Sequence, residues 1–226
     1  MIRILAVLIG YVFGMFQTAF FYGKLKGIDI REHGSGNAGT TNTLRVLGTK
    51  AGLVVFAGDM LKSIIAILLV RHLIAPFYPE LYPILEFYTG AGCVLGHNFP
   101  FYMHFKGGKG IATTGGMMII THWSYVPVGL LLFFGNFFLT HLVSLGSLLL
   151  YAGFFIQTVI LGQLGVFCCS QSLLIELYIL VFLLTFMAFY KHKANISRLF
   201  HKNERKTYLF KKNKMDAETN ADAKGK

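Results

Sequence analysis

The chain has 226 residues, 54% of them hydrophobic, 22 of them phenylalanine and only 14% charged. A soluble domain carries about a quarter charged residues, so a water-soluble globular core is excluded. The formal charge of +11 lies between apolar runs and at the C-terminus, which is how membrane proteins mark their cytoplasmic side, and no nucleic-acid partner is expected.

Residues 4–22 are apolar apart from Gln17 and Thr18. The stretch is too long for a signal-peptide core and has no clear cleavage site, so it reads as a first membrane crossing. Further runs cover 51–74, 81–105, 111–142, 145–169 and 173–190. A bilayer core of ~30 Å takes about 20 helical residues, which leaves 111–142 too long for one pass. Charge parity divides it. Basic residues crowd 24–50, Lys106–Lys109 and the tail from Lys191. If all three segments face the cytoplasm, an even number of crossings separates each pair, and 111–142 must pass twice with a bend near 122–127. The expectation is an all-α integral membrane protein of about seven transmembrane helices, with the N-terminus outside and the C-terminus cytoplasmic. Residues 1–209 form one membrane domain, and 210–226 form a polar, disordered cytoplasmic tail. Cys93, Cys168 and Cys169 have neither metal spacing nor a disulfide framework.

Three polar segments on the expected cytoplasmic face carry candidate chemistry. Residues 33–45 (HGSGNAGTTNTLR) combine glycines that allow close approach to an anion with the small polar groups of Ser35, Asn37, Thr40, Thr41 and Asn42. Arg45 adds a guanidinium able to fork a phosphate. The same composition also suits a plain solvated loop. In residues 96–113 (GHNFPFYMHFKGGKGIAT), Gly107, Gly108, Lys109 and Gly110 resemble a phosphate cradle: backbone amides, a reaching lysine, then a helix start. The spacing is not that of a P-loop, and a basic topology-setting loop is the alternative. Residues 189–205 (FYKHKANISRLFHKNER) place His192, Asn195 and Arg198 on one face if the last helix continues. A basic anchor for anionic lipid is the competing reading. Asp59 and Lys62, spaced i, i+3 inside the second run, are expected to pair. Ser144 and Ser147 fall in a short turn between the fifth and sixth crossings. No metal constellation is present.

Together the three segments resemble the motifs of the bacterial acyl-phosphate:glycerol-3-phosphate acyltransferases (PlsY type), in the same order and spacing from about Met1 to Glu204. Residue 38, here Ala, is often Pro or Ile in that family. The resemblance implies a seven-helix fold in the bacterial plasma (inner) membrane, multi-pass, with a cytoplasm-facing site. It implies acyl transfer from acyl phosphate to the 1-hydroxyl of glycerol 3-phosphate, giving lysophosphatidic acid without a cofactor. Membrane lipid and an upstream acyl-phosphate-forming enzyme are the implied partners.

Such chemistry needs two anion pockets beside a lipid-accessible groove. Arg45 and Lys109 are assigned to phosphate, with Ser35, Asn37, Thr41, Asn42, Ser144 and the amides of Gly107, Gly108 and Gly110 as partners. Asn195 orients the carbonyl or the attacking hydroxyl, and His192 is either a general base or a phosphate ligand. Asp59, Lys62 and Glu204 are read as structural. Ser35 as a covalent nucleophile is the sharper alternative, although no G-x-S-x-G elbow surrounds it. No histidine has Asp five positions later, which separates the chain from the H-x-x-x-x-D acyltransferases. A transporter for a phosphorylated solute or a non-catalytic anchor would be the competing classes. A transporter usually places polar residues and repeats near the midplane, and an anchor leaves Ser35, Asn195 and the glycines idle.

Overall fold

The computed structural model describes residues 1–209; the tail expected to be disordered at 210–226 lies outside the described residues. Every regular element among the described residues is helical. The first run is two helices, α1 (Ile2–Gly14) and α2 (Thr18–Leu25), not the single helix expected. Gln17 is extended (φ −90°, ψ 92°), and the break has buried polar partners. The Phe16 carbonyl accepts from Lys62 Nζ at 2.8 Å, and Gln17 Nε2 donates to the His97 carbonyl at 2.7 Å.

Helix α3 (Thr40–Leu73) begins inside the glycine-rich segment, well before the apolar run that announced it. Gly48 (φ 85°, ψ 176°) joins two limbs in a conformation essentially confined to glycine. The short limb folds back so closely that a Cβ at Gly52 would lie 2.6 Å from Leu44 Cβ. Helix α4 (Tyr82–Asn98) stops before Pro100, which has no amide to donate, and His104 and Phe105 then take φ of 52° and 59°. The third run is therefore α-helical only to Asn98, with a single 3-10 turn at Phe101–Met103, and not to 105.

Residues 111–142 do bend where charge parity requires. Helix α5 (Ile111–Thr121) ends at His122, which is extended (φ −159°, ψ 130°). Helix α6 (Tyr125–Leu130), a π turn (Leu131–Gly135) and α7 (Asn136–Thr140) follow. Helices α8 (Val143–Gln163), α9 (Gln171–Lys191) and α10 (Lys193–Phe200) complete the described chain. Among the described residues, four segments, Ile2–Leu25, Thr40–Phe77, Val143–Gln163 and Gln171–Lys191, are long and apolar enough to cross a membrane.

Close packing explains why these helices stay together. Gly10 and Gly14 of α1 face Gly92 and Gly96 of α4, and a Cβ at any of the four would strike the other helix's backbone. This is the small-xxx-small contact by which helices associate in lipid, where apolar burial gives no driving force. Phe87, Tyr125, Tyr151 and Phe154 fill the centre, while Leu8, Leu61, Ile156 and Phe186 point outward as a lipid-facing surface would. At the far end of α3, Arg71 grips Glu86 of α4 with two bonds of 2.6 and 2.8 Å and donates to the Ile120 carbonyl at 2.6 Å. Arg3 grips Glu176 of α9 at 2.5 and 2.9 Å. These ion pairs keep one end of the bundle shut and leave the other to the polar motifs.

Candidate active site

All three motifs and the start of α8 line one cavity of about 470 Å³. Its first wall is the loop preceding α3. Gly34 and Gly36 take positive φ (64° and 71°), which wraps the backbone around the Asn42 side chain. Asn42 Oδ1 accepts from the Ser35 amide at 2.8 Å and the Ser35 hydroxyl at 3.1 Å. Its Nδ2 donates to the carbonyls of Ile30 and His33, both at 3.0 Å. Asn42 thus lines the cavity as the clamp of its own loop, with both ends of its amide occupied. Ser35, Asn37, Thr41 and Arg45 share that lining. The Ser35 hydroxyl points to an amide oxygen, a group that cannot take up its proton.

Arg45 sits on the short limb of α3, 8% exposed. Its Nη2 donates to Thr207 Oγ1 at 2.5 Å and to the Arg205 carbonyl at 3.2 Å. Its Nε is buried without a partner.

The second motif contributes less backbone than its composition suggests. The Gly107 and Gly108 amides, expected to serve phosphate, instead donate to the carbonyls of Asn98 (3.2 Å) and His97 (3.1 Å) at the end of α4. Neither glycine lines the cavity; Lys109 and Gly110 do. A Cβ at Gly108 would collide with His97 Nε2 and come within 2.8 Å of the Ala38 carbonyl. These glycines let the loop pass between α4 and the first motif, and Lys109 emerges on the cavity side.

Lys109 Nζ donates to Asn195 Oδ1. Asn195 Nδ2 donates to Glu204 Oε1 at 2.7 Å, and Arg198 Nε donates to Glu204 Oε2 at 2.8 Å. Glu204 thus ties together the third motif and, through Asn195, the second. Burial pulls the Lys109 ammonium down to about 8, so it stays largely charged at neutral pH.

The last helix does not continue as expected, because His192 breaks it (φ −99°, ψ 7°) between α9 and α10. His192, Asn195 and Arg198 nevertheless all reach the cavity. His192 Nδ1 lies 2.8 Å from the Ala188 carbonyl. A carbonyl only accepts, so Nδ1 carries the proton and Nε2 the lone pair. Burial, reinforced by the Lys109 charge, lowers His192 to about 4, and the ring is neutral at pH 7.

Ser144 and Ser147 lie within the first turns of α8, not in the interhelix turn expected. Ser147 Oγ donates to the Val143 carbonyl at 2.8 Å. Ser144 Oγ is buried without a partner and lines the cavity.

Asp59 and Lys62 pair at 2.9 Å beneath the same cavity. Lys62 Nζ also meets the Phe16 carbonyl at 2.8 Å and His97 Nδ1 at 2.7 Å, and Asp59 accepts from Thr18 Oγ1 at 2.9 Å.

Sequence reading did not single out five further contributors. Lys191 lines the cavity and donates to the Asn98 carbonyl at 3.3 Å. Phe56, Phe133 and Phe134 form apolar walls. Thr207 closes one side, and nothing in its local sequence announces this.

The resulting site is lined by five cations, Arg45, Lys109, Lys191, Arg198 and Arg205, and two carboxylates, Glu204 and the Lys62-paired Asp59, next to apolar walls. It can hold anionic groups at one end and a hydrocarbon at the other. The family model for glycerol-3-phosphate acyltransferase matches residues 4–202. The glycerol-3-phosphate acyltransferase of Bacillus velezensis is 39% identical over 214 residues, covering 93% of this chain and 100% of the relative. That of Bacillus subtilis is 39% identical over 216 residues, covering 91% and 98%. The crystal structure of PlsY (YgiH), an integral membrane glycerol 3-phosphate acyltransferase, in its glycerol 3-phosphate form is 30% identical. It superposes with a TM-score of 0.77 over 92% of this chain and 99% of that one. The lysophosphatidic acid form is 29% identical with a TM-score of 0.75, covering 92% and 96%. On the family match, the sequence identity and the shared fold, the chain belongs to the glycerol-3-phosphate acyltransferase family.

Proposed function

We propose that this chain transfers a fatty acyl group from acyl phosphate to the 1-hydroxyl of glycerol 3-phosphate, releasing inorganic phosphate and giving lysophosphatidic acid. The observation that carries this reading is the single cavity where Arg45 and Lys109, from distant segments, face the apolar walls of Phe133 and Phe134. Both substrates bring a phosphate, and one brings a hydrocarbon chain.

The hydroxyl oxygen attacks the acyl carbonyl carbon, and the carbonyl carbon–oxygen bond to phosphate breaks. Phosphate leaves as a stable anion, so little acid assistance is needed; orientation and oxyanion stabilisation dominate. Arg45 and Lys109 hold phosphate, with Ser35, Asn37, Thr41, Ser144 and the Gly110 backbone beside them. Neutral His192 offers Nε2 as an acceptor for the attacking hydroxyl's hydrogen, which a protonated ring could not do. The proton then passes to His192 or to a substrate phosphate. Asn195, held at both ends by Lys109 and Glu204, keeps its second amide hydrogen for the carbonyl or the hydroxyl. Direct transfer is supported by the Ser35 hydroxyl, which donates to the amide oxygen of Asn42 and to no base among the described residues.

Residues 1–209 act as one domain with seven crossings of the bacterial plasma membrane, the N-terminus outside and the cavity on the cytoplasmic side. The cations grouped at the cavity end support that orientation. Acyl phosphate would come from an enzyme that forms such mixed anhydrides. Purified protein in detergent, given acyl phosphate and labelled glycerol 3-phosphate, should form labelled lysophosphatidic acid, with little product from acyl-CoA. Comparable turnover of acyl-CoA overturns the donor. Cysteines placed at Asn37, Lys106 and Lys202 in a cysteine-free background should be labelled only from the cytoplasmic side; labelling at 202 from outside breaks the topology.

A further inference from the structure

Five arginines of this chain are held in two ways. Arg3, Arg31, Arg71 and Arg198 each grip a carboxylate, those of Glu176, Asp29, Glu86 and Glu204. Arg45 is buried, yet among the described residues no carboxylate lies within ion-pair distance of it. Its bonds go to neutral groups, the Thr207 hydroxyl at 2.5 Å and the Arg205 carbonyl at 3.2 Å. Both belong to residues 205–209, which run as a strap along one side of the cavity. The Thr207 amide donates to the His141 carbonyl at 2.9 Å, and the Leu209 carbonyl accepts from Thr49 Oγ1 at 2.5 Å. The strap therefore joins the end of α7 to both limbs of α3 around Gly48. Thr207 is 2% exposed and lines the cavity.

We infer that Thr207 is a positioning residue for substrate phosphate, acting through Arg45. A neutral hydroxyl fixes the guanidinium without cancelling its charge, whereas a carboxylate in the same place would both fix it and quench it. A hydroxyl oxygen that accepts from Arg45 also keeps its own hydrogen to donate, so the same side chain offers the phosphate a second contact. The strap lies beyond the three motifs, and its contribution arises only when the chain end folds back over the short limb of α3.

This inference rests on Arg45 binding substrate phosphate, and the test separates the two claims. Full-length protein carrying Thr207→Val, Thr207→Ser, Thr207→Asp or Arg45→Lys is assayed for kcat and KM toward each phosphorylated substrate. Thr207→Val should raise one KM about tenfold, the scale of one hydrogen bond to a charged group, with little change in kcat. Thr207→Ser should restore it to near the parent value. Thr207→Asp tightens the strap with an ion pair yet neutralises Arg45, so it should stay folded and raise the same KM further. A strap that merely braced the fold would leave KM intact in Thr207→Asp. Unchanged KM in Thr207→Val or Thr207→Asp, or no rescue by serine, overturns the inference, and if the valine variant does not fold the aspartate variant decides. If Arg45→Lys also leaves both KM values unchanged, the phosphate role of Arg45 falls with it; if Arg45→Lys raises KM while Thr207 variants do not, only the strap inference fails.

Discussion

Two charged clusters lie against the same cavity and are built on opposite rules. In the inner one, Lys62 spends its three ammonium hydrogens on Asp59, the Phe16 carbonyl and His97. Asp59 Oδ1 accepts from Lys62 and Thr18, so every donor of Lys62 is spent and the pair's opposite charges offset each other. In the outer one, Arg45, Lys109, Lys191, Arg198 and Arg205 line the cavity with Glu204, Arg45 Nε and Ser144 Oγ have no partner among the described residues, and Asn195 holds an amide hydrogen in reserve. A saturated network holds helices together; an unsaturated cationic one is poised for an anion. The inner cluster fastens the α1–α2 break to α3 and α4, and the outer one is left to bind.

Breaking the inner cluster should have the largest effect, and on stability. Lys62→Met leaves Asp59 buried against a lone hydroxyl and should cost ~3–5 kcal/mol. Denaturant unfolding in detergent measures this, and the folded fraction should keep the parent KM values. Normal stability in that variant would mean that the inner network is not what anchors the break.

In the outer cluster, Ser35→Ala removes a hydroxyl that must turn from Asn42 Oδ1 to the substrate to act as a donor, and should cost ~2–4 kcal/mol of transition-state stabilisation, on the scale of one oxyanion donor, with residual turnover. Intact-protein mass spectrometry after incubation with acyl phosphate alone should find no adduct. A stoichiometric acyl adduct that vanishes in Ser35→Ala would replace direct transfer by a covalent route.

The outer cluster should also respond to pH. The ammonium form of Lys109 is the one that binds phosphate; it is present below about 8 and lost above. The kcat/KM for glycerol 3-phosphate should therefore fall by roughly tenfold per pH unit once the pH passes that value. On the acid side the profile should fall below about 4, where His192 gains a proton and its acceptor lone pair is lost. Lys109→Arg, charged throughout, should remove the alkaline limb, and a profile that keeps that limb assigns it to another group. The smallest effect should come from Ser144→Ala. Its hydroxyl has no partner among the described residues, so removing it should weaken phosphate binding by about 1 kcal/mol without lowering the melting temperature.

Much of this design is local and therefore readable in the sequence. Apolar runs announce helices because twenty residues without charge have few other places to go. Charge parity located the bend in 111–142, since each basic segment must return to one side, and the i, i+3 spacing of Asp59 and Lys62 announced their pair. Glycines, hydroxyls and cations at motif spacing marked Ser35, Arg45, Lys109, His192 and Asn195, and these meet at one cavity.

What composition could not decide was who bonds to whom. Residues 107–110 looked like a phosphate cradle, yet the Gly107 and Gly108 amides go to the end of α4, because a loop squeezed between two backbones must satisfy its own donors first. Gly48 looked like one glycine among many until the fold-back of Leu44 onto Gly52 required its conformation. The first run looked continuous, but the break at Gln17 is held by Lys62 and His97, and Thr207 reaches Arg45 across 162 residues. The sequence alone determined the apolar helical runs and the chemical kit. Which of those groups are spent on the fold and which remain for substrate was decided only by tertiary packing, because hydrogen-bond satisfaction is a property of neighbours in space.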